Sequence, residues 1–301
     1  MTSSTALALR AVALCAASLF FTSPSFSQPA DPAPTNPTAS EKKGDRTVRE
    51  EGSWYASWGY SRQHYAPSDI HVSQPGLGND FTVRQVAASD FPATVEHSLR
   101  SLTQLNWTDP QENVRVGKFM NPEKTFAIEL SLDHSKYNTN GNQVAQVTGV
   151  INGQAVNAPR VLDAQTFDYA LHNGLNHIML NAVWLHHLAG PAQQTGHLQG
   201  ISRVGAGILL PHAENTILGR TNEVGPKSKR ICCTGRDDWW QLNGWTAGVE
   251  VGLRYRVYKS IYMELTQKWA YGVLNRVPVY QGSADQSIWM SEQVLSAGYL
   301  F

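Results

Sequence analysis

Histidines that lie close to serines and carboxylates are the residues of this chain best suited to chemistry. His71 stands two residues before Ser73, and Asp133 directly precedes His134. A histidine base that is oriented by a carboxylate can activate a serine hydroxyl for attack on an ester or amide. The pattern therefore permits hydrolysis with His71, Ser73, Asp133 and His134 as participants. The interpretation that we favour for these side chains is hydrogen bonding that anchors loops, because short His-x-Ser pieces also arise by chance.

A second set of polar side chains recurs at alternate positions within otherwise apolar segments. Such residues face one side of a strand, and opposite charges on that side can pair. We predict a salt-bridged internal network and keep a proton or ion relay as the alternative. Its predicted members are Arg115, Glu129, Glu250, Arg254, Glu264, Lys268 and Glu292, and Asp133 shares their parity.

Neither the histidines nor the cysteines form a compact metal-ligand motif, so no metal and no cofactor are predicted. Cys15 lies in an N-terminal apolar stretch, which leaves Cys232 and Cys233 side by side. A vicinal disulfide would be strained, and two thiols in a loop are the simpler interpretation. The sequence does not decide the oxidation state of this pair.

The composition suits a chain that meets lipid and gives no support to nucleic-acid binding. Lys+Arg and Asp+Glu number 24 each, so the formal net charge is zero. Charged residues make up only 16% of the chain, while aromatic residues reach 10%. A basic patch would be needed to attract nucleic acid, and none stands out.

Three segments can be predicted from local composition. Arg10 precedes a short apolar run that ends at Phe21, and the small residues Ser25 and Ser27 follow, so 1–27 is predicted to be a secretory signal peptide. A short anchor helix is the less favoured interpretation. Residues 28–51 are rich in proline and small polar residues and predict a disordered periplasmic linker. The folded domain is expected over 52–301.

Within that domain the strongest periodicity is two. From Trp245 to Val257, one parity is apolar while the other carries glycines and charges, and Ile261 to Val273 repeats the pattern. Strands of soluble sandwiches cluster near about five or six residues, whereas a barrel strand that crosses a membrane needs about 9–11. The lengths favour a transmembrane antiparallel up-and-down β-barrel with its apolar face outward.

Eight crossing strands account for the segments of this kind. They are predicted near 52–61, 113–120, 125–137, 175–188, 202–212, 245–257, 261–273 and 288–301. This count gives mostly short inner turns and long outer loops, among them 62–112 and 138–174, which is the usual asymmetry of such barrels. Two more strand-like segments, 80–87 and 144–152, are interpreted as outer-loop hairpins. If both crossed the membrane, the barrel would have ten strands.

The last predicted strand alternates apolar residues from Trp289 and closes on Tyr299 and Phe301. This ending resembles the assembly signal of Gram-negative outer-membrane barrels, and eight strands resemble the small-barrel group of OmpA-like proteins, OmpX-like proteins and lipid A deacylases. The resemblance implies an outer-membrane location, insertion by the barrel-assembly machinery and contact with outer-membrane lipids and lipopolysaccharide. It concerns architecture only, and a monomer is expected.

Three functions remain open at this stage. The first is a structural or surface-binding barrel with a plugged polar lumen and long outer loops. The second is a lipid-modifying hydrolase of the deacylase kind at the outer rim, where His71 and Ser73 have the His–Ser spacing of that group but not its surrounding residues. The third and weakest is a narrow channel, because an eight-stranded barrel is just wide enough for its own side chains.

Overall fold

The computed structural model describes residues 53–90, 111–223, 232–233 and 238–301. The predicted signal peptide and linker lie outside the described residues, as do parts of two predicted outer loops. No helix within the described ranges is long and apolar enough to cross a membrane.

The described chain is almost entirely antiparallel β-structure. One 3₁₀ turn, Pro75–Leu77, separates β2 from β3. In chain order the strands are β1 (Trp54–Tyr65), β2 (Ser68–Gln74), β3 (Asn79–Val86), β4 (Ala88–Ser89), β5 (Glu112–Phe119), β6 (Phe126–Thr139), β7 (Gln143–Ile151), β8 (Gln154–Leu162), β9 (Phe167–Ala189), β10 (Leu198–Pro211), β11 (Glu214–Ile217), β12 (Arg220–Glu223), β13 (Cys232–Cys233), β14 (Trp240–Gln241), β15 (Gly244–Tyr258), β16 (Ile261–Val279) and β17 (Gly282–Leu300).

Eight of these strands form a closed barrel in the order β1-β5-β6-β9-β10-β15-β16-β17. Closure comes from β1 and β17, which pair antiparallel from Tyr55 opposite Leu300 to Tyr65 opposite Met290. The eight predicted crossings are therefore confirmed. A closed barrel has no edge strand, so every backbone donor and acceptor at membrane depth can be paired within the sheet.

The barrel exterior carries a continuous apolar band. Side chains such as Leu130, Leu180 and Leu265 are 56%, 60% and 59% exposed, although they stand in the middle of long strands. An exposed apolar surface of this kind is stable when lipid covers it. Aromatic residues flank the band: Trp54, Tyr299 and Phe301 lie at the end with the short turns, and Trp245, Tyr271 and Trp289 lie toward the other. The molecule is thus an integral outer-membrane β-barrel.

The polarity of the strands inverts beyond the band, on the side with the long connections. There β2, β3, β7 and β8 extend the sheet from β17, and the β11–β12 hairpin continues it from β9. Their inward side chains form a buried apolar core, which includes Ile70, Val83, Val147, Leu171 and Ile217. We call this extension, together with the outer ends of β9, β16 and β17, the extracellular cap. Its inside is apolar and its outside polar, as in a water-soluble β-sandwich.

The cap accounts for the two ambiguous segments and for the strand ends. Residues 80–87 and 144–152 form most of β3 and β7 and cross nothing, so the outer-hairpin interpretation is confirmed and the ten-stranded barrel is not observed. The crossing strands also run further outward than predicted: β9 starts at Phe167, not near Leu175, and β16 ends at Val279. The prediction stopped where the apolar parity changed sides, because it assumed one lipid-facing pattern throughout.

Candidate functional site

The barrel lumen at membrane depth is filled by a buried ion network centred on Arg203. Its guanidinium binds three carboxylates: Nε lies 3.1 Å from Glu129, Nη1 lies 3.0 Å from Glu250, and Nη2 lies 2.8 Å from Glu264. Arg203 is 2% exposed. One cation therefore joins strands β6, β10, β15 and β16 from inside the barrel.

Two further arginines extend the network on either side of Arg203. Arg115 donates from Nη1 to Glu250 at 2.8 Å and from Nε to Asn113 at 2.6 Å. Arg254 donates from Nε to Glu264 at 2.5 Å, and its guanidinium stands 4.2 Å above the Tyr262 ring. A buried charge is tolerated only when it is paired and hydrogen-bonded, and these arginines meet that condition.

Nearer the cap, Lys268 forms a second cluster. Its ammonium binds the carboxylate of Asp133, which also accepts from Asn113, and stands 3.6 Å from Glu292 Oε2. The other oxygen of Glu292 accepts from Gln63 Nε2 at 2.9 Å. The structure thus places all seven predicted network members inside the barrel, together with Asp133, which shares their parity.

The charges of this network do not balance. Among the described lumen residues, four cations (Arg115, Arg203, Arg254 and Lys268) face five carboxylates (Asp133, Glu129, Glu250, Glu264 and Glu292). Each ion pair of the three arginines involves a glutamate other than Glu292, and Lys268 lies closer to Asp133 than to Glu292. Glu292 is therefore the carboxyl group of the network that is least closely paired with a cation.

We expect Glu292→Gln to cost about 1 kcal/mol or less, because the amide oxygen can still accept from Gln63 and Lys268 keeps Asp133 as its closer partner. The matched control is Glu264→Gln, which removes the partner of two arginines and should cost about 3–5 kcal/mol. Urea midpoints in phospholipid vesicles at neutral pH measure both. An equal loss in the two variants would show that Glu292 is as firmly paired as Glu264.

Two tyrosines seal the lumen below the ion network, toward the short turns. Tyr55 and Tyr262 are fully buried with ring centroids 6.4 Å apart, and the Tyr55 hydroxyl donates to Glu129 Oε2 at 2.8 Å. Each ring occupies the space over an inward glycine. A Cβ on Gly117 would lie 2.1 Å from Cζ of Tyr55, and a Cβ on Gly298 would lie 2.2 Å from Cζ of Tyr262.

The candidate catalytic residues are not brought together. His71 lies on the outer face of the cap, where Nε2 is 2.7 Å from Asp80 Oδ1 and Nδ1 is 3.7 Å from Asp285 Oδ2. Ser73 shares that face of β2 and pairs across the strands with Asp80 and Ser283. Asp133 lies in the lumen on Lys268, so the two halves of the hypothetical site occupy different compartments.

His134 is buried as well, but on the opposite parity of β6 from the inward Asp133. It is 8% exposed, and Nδ1 lies 2.7 Å from Asn176 Oδ1 on β9. The joint of barrel and cap is therefore tied by side-chain hydrogen bonds, the role that the sequence favoured for the rim histidines.

The outer face of the cap carries a second ion pair, which helps to hold β2 to β3. Arg84 Nη1 lies 2.7 Å from Asp69 Oδ2, and the backbone N–H of Gln85 donates to Asp69 at 2.8 Å. Burial opposes ionisation of Asp69, but these hydrogen bonds outweigh it and lower the pKa of the carboxyl group. Asp69 is thus a fixed anion of the strand pair.

Arg203 is the functional residue that sequence reasoning missed. It shares the inward parity of Gly205 and Gly207 on β10, opposite the outward Val204 and Ala206, so the alternation that revealed Arg115 also marks it. It lies at the second residue of the predicted strand, where the pattern has barely begun. Among the described residues, no group of three or more His, Cys, Asp or Glu could hold a metal ion.

Cys232 and Cys233 form the short strand β13, which pairs in parallel with Trp240 and Gln241 of β14. The pairing concerns the backbone alone, and the state of the thiols stays a prediction.

The predicted assembly signal lies on the barrel's outer surface. Tyr299 and Phe301 are 53% and 56% exposed, and their rings stack with centroids 6.4 Å apart. Recognition of these residues by an assembly machine stays a prediction.

No family model matches this chain, and no curated protein matches it either. Some solved structures resemble this chain at low sequence identity. The attachment invasion locus protein Ail of Yersinia pestis is 10% identical with a TM-score of 0.31, covering 83% of this chain and 99% of Ail. OprG of Pseudomonas aeruginosa is 10% identical with a TM-score of 0.35, covering 83% and 97%. The protease OmpT of Escherichia coli is 6% identical with a TM-score of 0.31, covering 82% and 96%.

Likenesses of this degree carry no residue role over to this chain. The outer-membrane assignment rests on the closed strand pairing, the apolar band and the charged interior.

Proposed function

We propose that this protein is a sealed outer-membrane anchor that presents a folded extracellular cap for binding at the cell surface. The observation that carries the proposal is the inversion of polarity along the barrel. At membrane depth the interior is an ion-paired network, and beyond it the same strands enclose an apolar core. Such a cap is a structured surface held at a fixed distance from the membrane.

The filled interior argues for an anchor and against a channel. An eight-stranded barrel has room for little beyond its own side chains. Here the paired tyrosines, the arginine–glutamate network and the apolar core of the cap follow one another along the axis. An ion would have to displace several buried salt bridges to pass.

The surroundings of His71 argue for binding rather than hydrolysis. A general base needs a ring nitrogen that is free to take the serine proton. Both ring nitrogens of His71 face carboxylates, and no hydrogen bond joins it to Ser73 in the described structure. Asp133, the candidate carboxylate of the hydrolytic site, is ion-paired with Lys268.

We further propose that the anchor works as a monomer in contact with outer-membrane lipids and lipopolysaccharide, after insertion by the barrel-assembly machinery. Arg62 supports the lipopolysaccharide contact, because it lies on the outward face of β1, one outward position beyond Tyr60. Phosphate groups of the outer leaflet would lie at this height, where a guanidinium can bind them.

Planar-bilayer recordings test the sealed anchor. The reconstituted protein is expected to give no discrete current steps, whereas ohmic unitary steps would establish a channel. Mass spectrometry of lipid A from cells with and without the protein tests the hydrolase. An unchanged acyl pattern is expected, and a lost acyl chain would overturn the anchor proposal.

A further inference from the structure

The cap contains a cavity of about 530 Å³ between β8 and the β11–β12 hairpin. Its floor consists of buried apolar side chains, among them Phe81, Val83, Val147 and Phe167. Small-molecule sites in proteins have volumes of about 300–1,000 Å³, with mostly apolar walls and a few polar groups. Size and lining both match such a site.

Arg160 supplies the charged group at the mouth of this cavity. It shares the parity of Val156, Ala158 and Leu162, which is the face of β8 turned toward the cap core, yet it is exposed. In the described part of the chain β8 pairs only with β7, so its other edge is open beside the cavity. The same described residues show no carboxylate ion-paired with Arg160, which leaves its guanidinium available to an incoming anion.

The nearby carboxylate of Asp163 is hydrogen-bonded within its own turn. It accepts hydrogen bonds from Gln165 N at 2.9 Å, Thr166 N at 2.8 Å and Thr166 Oγ1 at 2.9 Å. These contacts, the Thr166 side chain first, hold the pKa of Asp163 below its ordinary value. Asp163 therefore shapes the mouth, and Arg160 is the lining group that can bind an anion.

The cavity stands well outside the membrane. Phe167 precedes Ile178, the first residue of the apolar band on β9, by eleven positions. At about 3.3 Å per residue and a tilt of about 40°, this separation is a rise of roughly 25–30 Å. A ligand of this cavity comes from the surroundings of the cell surface and not from the bilayer interior.

We propose that this cavity binds a small free amphiphile with one anionic group, of the fatty-carboxylate class. The apolar chain would lie on the floor formed by Phe81, Val83 and Val147, and the carboxylate would pair with Arg160 at the mouth. The inference rests on the proposed surface-binding function and names its ligand class.

Equilibrium dialysis of radiolabelled decanoate tests the proposal. The full-length protein is placed in phosphatidylcholine nanodiscs, because detergent would compete for an apolar cavity, and protein-free nanodiscs give the blank. We expect saturable binding at one site. Arg160→Gln should weaken decanoate binding about tenfold or more, since a charge-assisted hydrogen bond is lost, and should leave binding of neutral decanol unchanged.

Two further variants keep the test specific. Arg84→Gln removes an exposed arginine from the outer face of neighbouring β3 and should bind decanoate like the parent. Ile151→Trp places a bulky ring at the cavity wall and should abolish binding of both probes. Absence of saturable binding, equal effects of the two arginine variants, or decanol binding as tight as decanoate would each overturn the inference. None of these results would alter the current recordings, so a failed ligand class is distinguishable from a failed anchor.

Discussion

Replacing Arg203 with methionine is expected to destabilise the barrel more than any other single side-chain truncation in the lumen. The change leaves Glu129, Glu250 and Glu264 buried without their shared cation. Breaking one buried ion pair costs about 3–5 kcal/mol, and here three contacts are lost together. We expect the urea midpoint in phospholipid vesicles to fall accordingly, or the heat-modifiable folded band to be lost.

The matched control is Arg84→Met in the cap. Arg84 binds Asp69 at 2.7 Å, but both side chains are substantially exposed, at 50% and 38%. A surface pair of this kind contributes about 0–1 kcal/mol. Addition of Glu129→Gln to the Arg203 variant should recover part of the loss, because one uncompensated charge disappears. Equal midpoints for the Arg203 and Arg84 variants would contradict the central role of the buried network.

Substitution of Gly117 by valine is the second change with a large expected effect. The new Cβ would lie 2.1 Å from Cζ of Tyr55, so the ring must leave its place above the strand. Overpacking of this kind costs about 1–3 kcal/mol. Displacement of Tyr55 also breaks its 2.8 Å hydrogen bond to Glu129, whose loss adds about 1–3 kcal/mol. Thermal unfolding followed by gel migration should show a lower midpoint.

Gly200→Val provides the control for strand glycines. Its added Cβ would meet Leu188 Cδ1 at 3.7 Å, an ordinary contact, so stability should change little. In a Tyr55→Ala background, Gly117→Val should cost much less, since the clashing ring is gone. If Gly117→Val and Gly200→Val behaved alike, the ring-over-glycine packing of Tyr55 would be wrong.

Much of the barrel could be predicted because lipid imposes a strict rule on sequence. Every second residue of a crossing strand must be apolar, and the other parity is free to carry charge. That rule located β15 nearly to its ends and β16 at its start, and it assigned Arg115, Glu250 and Lys268 to the interior.

The folded cap was not predicted because the inner face of its strands is apolar and the outer face is polar, the reverse of the pattern at membrane depth. Residues 62–112 and 138–174 were expected to be outer loops with hairpin strands only at 80–87 and 144–152, yet they also contain β2 and β8, and all four strands join the barrel sheet. Alternation gives the period of a strand but not which face meets lipid, water or core, so the cap strands looked like isolated hairpins. Their pairing with β17 is a long-range contact that no local pattern encodes.

The same limit explains why the hypothetical hydrolytic site does not assemble. The sequence placed His71 and Asp133 near one end of the barrel. In the structure His71 pairs with Asp285 on β17, whereas Lys268, the partner of Asp133, pairs seven residues further in with Glu292. The sequence could not say that His71 faces outward from the cap while Asp133 faces inward onto Lys268. Two residues at different levels and on opposite faces of the sheet cannot act on one substrate.

Amide hydrogen exchange in nanodiscs tests the central claim most directly, namely that the barrel continues outside the membrane as a folded cap. Peptides covering residues 68–86 and 143–162 are the ones to follow. Hydrogen-bonded strands over a buried core should exchange over minutes to hours, as the barrel strands do. Complete exchange of these peptides within seconds would show that they are loops and would contradict the account.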